Sequence, residues 1–184
     1  HYRRLSSTDW TQGVEALNQF SDGFPLLVVS EASLAELNAR LVATGQEPVG
    51  MERFRPNVVL AGVQAHDEDR VDMLRVAVGQ QEVHLQPVKP CARCPIPNID
   101  PATAHSSPVV ADPLQAYRQD PRVGGAITFG MNAIVRQGVG QVLRVVPPGV
   151  EPPPAAASAA PAAPNPASEA APTVATTRPV APAG

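Results

Sequence analysis

The segment Lys89-Pro90-Cys91-Ala92-Arg93-Cys94-Pro95 holds both cysteines of the chain and is its densest chemical signal. A thiolate is a soft metal ligand and a nucleophile, and a neighbouring cation favours it over the thiol. Lys89 and Arg93 can supply that field. One Cys-x-x-Cys admits several readings. Structural zinc wants two more ligands; His84 and His105 are available, but their spacings match no zinc ribbon or finger. A thioredoxin-like redox pair wants a strand running into a helix, and Pro95 and Pro97 oppose a helix there. The plain alternative is two small buried thiols in a loop.

Two further groups of residues could hold a ligand. Arg53-Phe54-Arg55-Pro56-Asn57 combines guanidinium groups, which suit bidentate recognition of phosphate, with an amide that both donates and accepts. Its alternative is a solvated arginine pair ahead of a strand. Phe129-Gly130-Met131-Asn132 places a glycine and an amide inside an apolar run. Glycine in a strand marks close approach of a ligand or another backbone, and the asparagine needs a partner if buried. A bulge with a solvent-facing Asn132 is the alternative.

Short elements must position these groups. Trp10, Val14, Leu17 and Phe20 are spaced as one helical stripe. Leu26–Val29 is a short apolar run and reads as a buried strand. Ser30 can cap a helix over Glu31–Ala43 that faces Leu34, Leu37 and Leu41 inward and ends at Gly45. Val58–Leu60 is a second strand, and Pro56 favours an extended Arg55 before it. His66–Asp72 reads as a charged surface loop. Leu74, Val76 and Val78 alternate, as do Val83 and Leu85, with Gly79-Gln80 between them, which predicts a hairpin. Residues 89–113 read as irregular, and Pro113–Gln119 as a short helix capped by Asp112. Ala126–Val135 and Gln141–Val146 read as the last strands. The pattern predicts a mainly β fold with short helices.

Composition sets the boundaries. Eleven of the 22 prolines fall between Pro147 and Pro182, in a stretch without aromatic residues. Such a sequence cannot bury enough apolar surface to offset its ordering entropy, so a disordered Pro/Ala-rich tail is expected over 148–184. With 14 basic against 17 acidic residues, the net charge is −3. That argues against nucleic acid or an anionic membrane surface as partner. No apolar run approaches the roughly 18 residues of a membrane helix. Two closely spaced cysteines suit a reducing cytoplasm rather than a disulfide framework.

Taken in order, these pieces resemble the MOSC family. The resemblance runs through Ser21-Asp22-Gly23-Phe24-Pro25-Leu26-Leu27, Ser30-Glu31-Ala32-Ser33-Leu34, Asn38 with Arg40, and Phe54-Arg55-Pro56-Asn57. It continues through Lys89-Pro90-Cys91-Ala92-Arg93-Cys94, Asp100-Pro101, Ala116-Tyr117-Arg118 and Phe129-Gly130. Within that family the chain is similar to mitochondrial amidoxime-reducing components and to bacterial reductases of N-hydroxylated bases. The resemblance implies a MOSC-type β-barrel over 22–147, with 1–21 a linker or remnant of an upstream region. Relatives place an N-terminal β-domain before it, expected to lie outside this chain.

The implied cofactor is molybdenum on molybdopterin, with Cys94 completing the metal's sulfur ligation and Cys91 not pairing with it. Asp22, Arg55, Asn57, Ala92, Arg93 and Asn132 match cofactor-side positions. Ala92 stands where the family has Ser, and Asn132 where it has Tyr. Pro95-Ile96-Pro97-Asn98 departs from the family's apolar-Thr-Thr run, which bears on substrate preference. The implied activity is that of a molybdenum-dependent oxidoreductase reducing small N-hydroxylated substrates in a bacterial-type cytoplasm. Electrons would come from a separate flavin, haem or iron–sulfur protein, because no cysteine follows Cys94 to hold a cluster. The rival reading is a molybdenum-cofactor carrier or sulfur-transfer module related to the pyridoxal-phosphate-dependent cofactor sulfurases. A stand-alone barrel that binds a partner through its Pro-rich tail ranks below both.

Overall fold

The computed structural model describes residues 4–18 and 23–144. Its strands are β1 (Arg4–Leu5), β2 (Leu17–Asn18), β3 (Leu26–Ser30), β4 (Val58–Leu60), β5 (Leu74–Val78), β6 (Gln81–Ala92), β7 (Gln119–Asp120) and β8 (Ala126–Gln137). Its α-helices are α1 (Thr8–Thr11), α2 (Glu31–Ala43) and α3 (Ala111–Tyr117). The main sheet runs β4-β3-β8-β6-β5, and β7 adds to β8. All of its pairings are antiparallel except β3 with β4. The fold is mainly β with short helices, and the sheet curls into a half-barrel rather than a closed one.

Prolines account for much of the curl. β6 carries Pro87 and Pro90, which cannot donate to a ladder. Its register against β8 shifts between Pro87 and Lys89 and again between Pro90 and Ala92. Each shift is a bulge that bends the strand and adds twist. Strand β6 therefore continues through Cys91 to Ala92, and the irregular segment expected from Lys89 begins only at Arg93. Opposite the second shift, Gly130 has φ +77°, and a Cβ there would stand 2.6 Å from the Val28 carbonyl oxygen. The close approach that this glycine permits is thus to the backbone of β3.

Helix α2 begins and ends where its sequence predicts. Ser30 Oγ accepts from the Ser33 amide at 3.1 Å, and Leu37 and Leu41 are buried. They pack with Val29, Phe54, Val110, Leu114 and Phe129 into the larger core. The smaller core joins Ala16, Phe24 and Ile134, with Trp10, Val14 and Val88 against it.

Several expectations are overturned. The stripe from Trp10 is no single helix: α1 ends at Thr11, Leu17 lies in β2, and Phe20 falls outside the described residues. Gln12 and Gly13 both take positive φ and break the helix after one turn. Helix α3 starts earlier than its proline suggests, because Asn98 Oδ1 accepts from the amides of Val110 and Ala111 at 3.2 and 3.0 Å. Asp112 lies inside its first turn. Residues 141–144 form no strand; Gly138 and Gly140, at φ +84° and +89°, interrupt the extended chain. The rest of that expected strand and the 148–184 tail lie outside the described residues. Among those described, no helix is long and apolar enough to cross a membrane.

The expected surface loop at His66–Asp72 is internal in part, although Arg70 and Asp72 are exposed. Glu68 is fully buried, and its Oε1 accepts from the Ser30 amide at 3.1 Å and the Ser33 hydroxyl at 2.8 Å. A carboxylate at the start of α2 is favoured by the helix dipole. Asp69 pairs with Arg118 at 2.6 Å, both nearly buried. His66 lies among these groups, its Nε2 3.6 Å from Glu36. Burial holds the His66 pKa below the ordinary value of 6.5 and Arg118 adds to this, against the opposing charges of Asp69, Glu36 and Glu68. Burial, reinforced by Glu36, pushes Tyr117 up to about 12.

Two predictions follow from these contacts. His66 is neutral more readily in the folded chain than in the unfolded one, so its contribution is complete above pH 6.5 and is lost as pH falls through the window below it. The wild type is expected to lose stability over that window faster than H66Q, by less than ~1.4 kcal/mol per pH unit; parallel pH profiles of urea midpoints would refute this. Gly130→Ala should cost at least ~2 kcal/mol, from left-handed backbone strain and a clash with β3, as read by the same denaturation midpoint.

Candidate functional site

Sheet bending sets the point where the chain leaves β6 and enters the Arg93-Cys94 segment. Ala92 ends that strand and is exposed. The Arg93 amide donates to the Ile127 carbonyl at 2.8 Å, so the chain stays tied to β8 for one more residue. Cys94 then stands exposed and Cys91 half-buried, both as free thiols. Neither cysteine is a buried core residue. Among the described residues, no three His, Cys, Asp or Glu side chains are grouped to hold a metal ion.

Arg93 joins this segment to Phe54-Arg55-Pro56-Asn57. Its Nη2 donates to the Phe54 carbonyl at 3.2 Å, and its guanidinium lies 5.5 Å from the Phe54 ring centroid. Nη1 donates to Cys91 Sγ at 3.1 Å. The Phe54 ring is itself fixed, stacked on Phe129 at 4.2 Å between centroids. Cys91 is thus engaged by Arg93, while Cys94 stands exposed. Arg93 Nε is buried without a partner, which leaves one donor of the fork unspent.

Arg55 differs from its expected conformation. Its φ is +54°, not extended. Pro56 bars the right-handed helical region, yet the chain must reverse sharply after the 3-10 turn Met51–Arg53. The left-handed region achieves that at a cost of about 1–3 kcal/mol for a non-glycine residue. The reversal delivers Asn57 to β3: its amide donates to the Leu27 carbonyl at 2.9 Å, and its Oδ1 accepts from the Leu27 amide at 2.8 Å. Arg55 and Asn57 are both exposed.

Backbone register extends this row across the sheet. Leu27 pairs with Asn132, and Asn132 pairs with Lys89. Directly paired residues share a face, so Asn132 and Lys89 project together. Lys89 Nζ lies 5.1 Å from the Trp10 ring centroid and 5.9 Å from that of Phe24. Among the described residues, no hydrogen bond joins the Asn132 side chain to Arg55, Asn57, Arg93 or Cys94. Asp22 falls outside the described residues.

The electrostatics are lopsided. Arg55, Lys89 and Arg93 form no ion pair among the described residues, whereas Arg53 is neutralised by Asp100 at 3.1 Å. Arg53 also donates to the Pro97 carbonyl at 3.4 Å, which pins the loop after Cys94. That clamp is missing from the sequence reading. Arg53 stood inside the motif, but nothing local shows that its carboxylate partner lies 47 residues downstream.

The two thiols should therefore differ in reactivity. With limiting iodoacetamide, Cys94 is expected to alkylate well ahead of Cys91. Arg93→Gln should cost ~1.5–3 kcal/mol of stability through the lost charged hydrogen bonds, as read by the urea midpoint. Peptide mass spectrometry reads both alkylation rates; equal labelling in the wild type would contradict the geometry.

Comparisons with known proteins identify the family of the chain. A MOSC domain signature matches residues 16–150. Mitochondrial amidoxime-reducing component 1 of Homo sapiens is 39% identical over 101 residues, covering 54% of this chain and 28% of that protein. Mitochondrial amidoxime reducing component 2 of Rattus norvegicus is 38% identical over 108 residues, covering 56% and 29%. The Danio rerio component 1 is 31% identical over 120 residues, covering 64% and 34%. The matched region thus spans roughly a third or less of these relatives. With a signature that covers most of its length, this chain belongs to the MOSC domain family.

Proposed function

We propose that this MOSC domain is the cofactor-holding part of a molybdenum-dependent oxidoreductase that reduces N-hydroxylated substrates. The observation that carries the reading is Arg93: it draws the Cys94 segment onto the Arg55-Asn57 turn while its own charge meets no carboxylate among the described residues. An exposed thiol, two uncompensated guanidinium groups and an amide form a donor set suited to a soft metal beside an anionic group. The buried, unpartnered Arg93 Nε is a further free donor. The residues therefore fit a molybdenum–molybdopterin cofactor.

In this reading Cys94 ligates the metal, and Arg55 and Arg93 hold the pterin phosphate. Asn57 spends its Oδ1 on Leu27, so its NH2 group is the part left to donate. Ala92 offers only its backbone. Asp22 and Asn132 complete the proposed set, within a working domain of 22–147. The cofactor supplies two-electron redox chemistry at the metal. The net reaction takes up two electrons and two protons, breaks the N–O bond and releases water. The chain's own contribution is to fix the thiol and to set positive charge around the phosphate. Electrons come from a separate flavin, haem or iron–sulfur protein, and two free thiols suit the reducing cytoplasm of a bacterial-type cell.

The test is metal and pterin analysis after expression in a cofactor-producing host. Wild type and C91A are expected to retain stoichiometric molybdenum, and C94A to lose it together with N–O reduction. Zinc bound through both cysteines, or equal molybdenum loss in C91A and C94A, would overturn the reading.

A further inference from the structure

We infer that the cleft beside Cys94 is a specificity pocket for an apolar substrate group the size of one six-membered ring or a short alkyl chain. The inference rests on the reductase reading and names its substrate class. Arg93 and Cys94 line a cleft of about 190 Å³ whose walls include Val110, Ala111, Leu114 and Ile127. Apolar cavities of roughly 150 Å³ take up benzene, so this one has room for a ring and little more. Two larger clefts, of about 490 and 510 Å³, contain neither cysteine. Among the described residues no carboxylate lines the pocket, and the charged residue in its wall is Arg93. A cationic substituent is repelled there, and a neutral apolar one is accepted.

The walls are held in place before any ligand arrives. Asn98 Oδ1 accepts from the Val110 and Ala111 amides, which sets the start of α3. Ala111 and Leu114 are three residues apart and share a helix face. Arg53 holds the opposite rim through the Pro97 carbonyl and Asp100. Ile127 is tied to the Cys94 segment, because its carbonyl accepts from the Arg93 amide. Pocket depth is therefore set by the side chains of Ala111 and Ile127, and not by loop movement.

The experiment compares N-hydroxylated amidines bearing methyl, propyl, single-ring and fused two-ring groups, using the cofactor-loaded full chain. Between methyl and propyl, kcat/KM should rise roughly fourfold per methylene; the single ring should be favoured and the fused pair disfavoured. A111L should lower the ring-to-methyl ratio about tenfold, and I127A should raise the two-ring-to-one-ring ratio. A flat series, or ratios unchanged in both variants, would overturn the inference. A second readout needs no activity: benzene titrated into the isotope-labelled chain should shift the amide resonances of Ala111 and Leu114, and A111L should abolish the shifts. Absent shifts overturn the pocket even where N–O bonds are reduced. Shifts without any N–O reduction support the pocket and defeat the reductase reading.

Discussion

Arg93 donates to a carbonyl and a sulfur, and its plane lies near an aromatic ring. None of these partners carries a full negative charge. The guanidinium is therefore held by geometry while its charge stays available to a ligand. Lysine could not replace it: a single ammonium cannot reach the Phe54 carbonyl and the Cys91 sulfur with a fixed fork. Without that fork the two chemical segments, nearly forty residues apart in sequence, would have no shared anchor, and Cys94 would be a thiol on a loop end.

The fork reaches its partners only because the sheet is bent there. Pro87 and Pro90 interrupt the β6 ladder, and Gly130 lets β8 press against the Val28 carbonyl. A straight β6 would carry Arg93 along the sheet axis instead of turning it back towards Phe54. The stack of Phe54 on Phe129 completes the link, because Phe129 lies beside the bulge. Core packing and site geometry are therefore one constraint at this position, and a substitution at Gly130 acts on both.

The elements that follow periodicity were legible in the sequence. Ser30 and the Leu34-Leu37-Leu41 spacing mark α2 to the residue, and alternation around Gly79 marks the β5–β6 hairpin. Features set by distant partners were not. Glu68 sits in a run of charges and looks solvated, yet its partners Ser30 and Ser33 lie more than thirty residues upstream. Asn98 caps a helix twelve residues away. The bulges at Pro87 and Pro90 were not legible either, because a bulge looks the same as a break until the partner strand is known. At the site, the motif residues were legible as types and order. The left-handed Arg55 and the engagement of Cys91 by Arg93 were not, since both depend on where the other segment lies.

Polar side chains concentrate in two places, and charge balance separates their roles. Around α2 the buried charges have partners: Asp69 meets Arg118, and Glu68 Oε1 meets Ser30 and Ser33, while Glu68 Oε2, Asp69 Oδ1 and both His66 ring nitrogens are buried without a hydrogen bond. Breaking one partner there would strand a buried charge, at a cost of several kcal/mol, so these residues are committed to holding the fold. At the end of β6 the balance differs. Among the described residues Arg55 and Arg93 meet no carboxylate, Cys94 is exposed, and Arg55 holds a left-handed backbone angle. The strain at Arg55 is offset by the two hydrogen bonds between Asn57 and Leu27, but folding makes no use of the two guanidinium charges. An anionic ligand would compensate those charges, and this is the reason for proposing the chemistry of the chain at the end of β6 and a structural role for the cluster around α2.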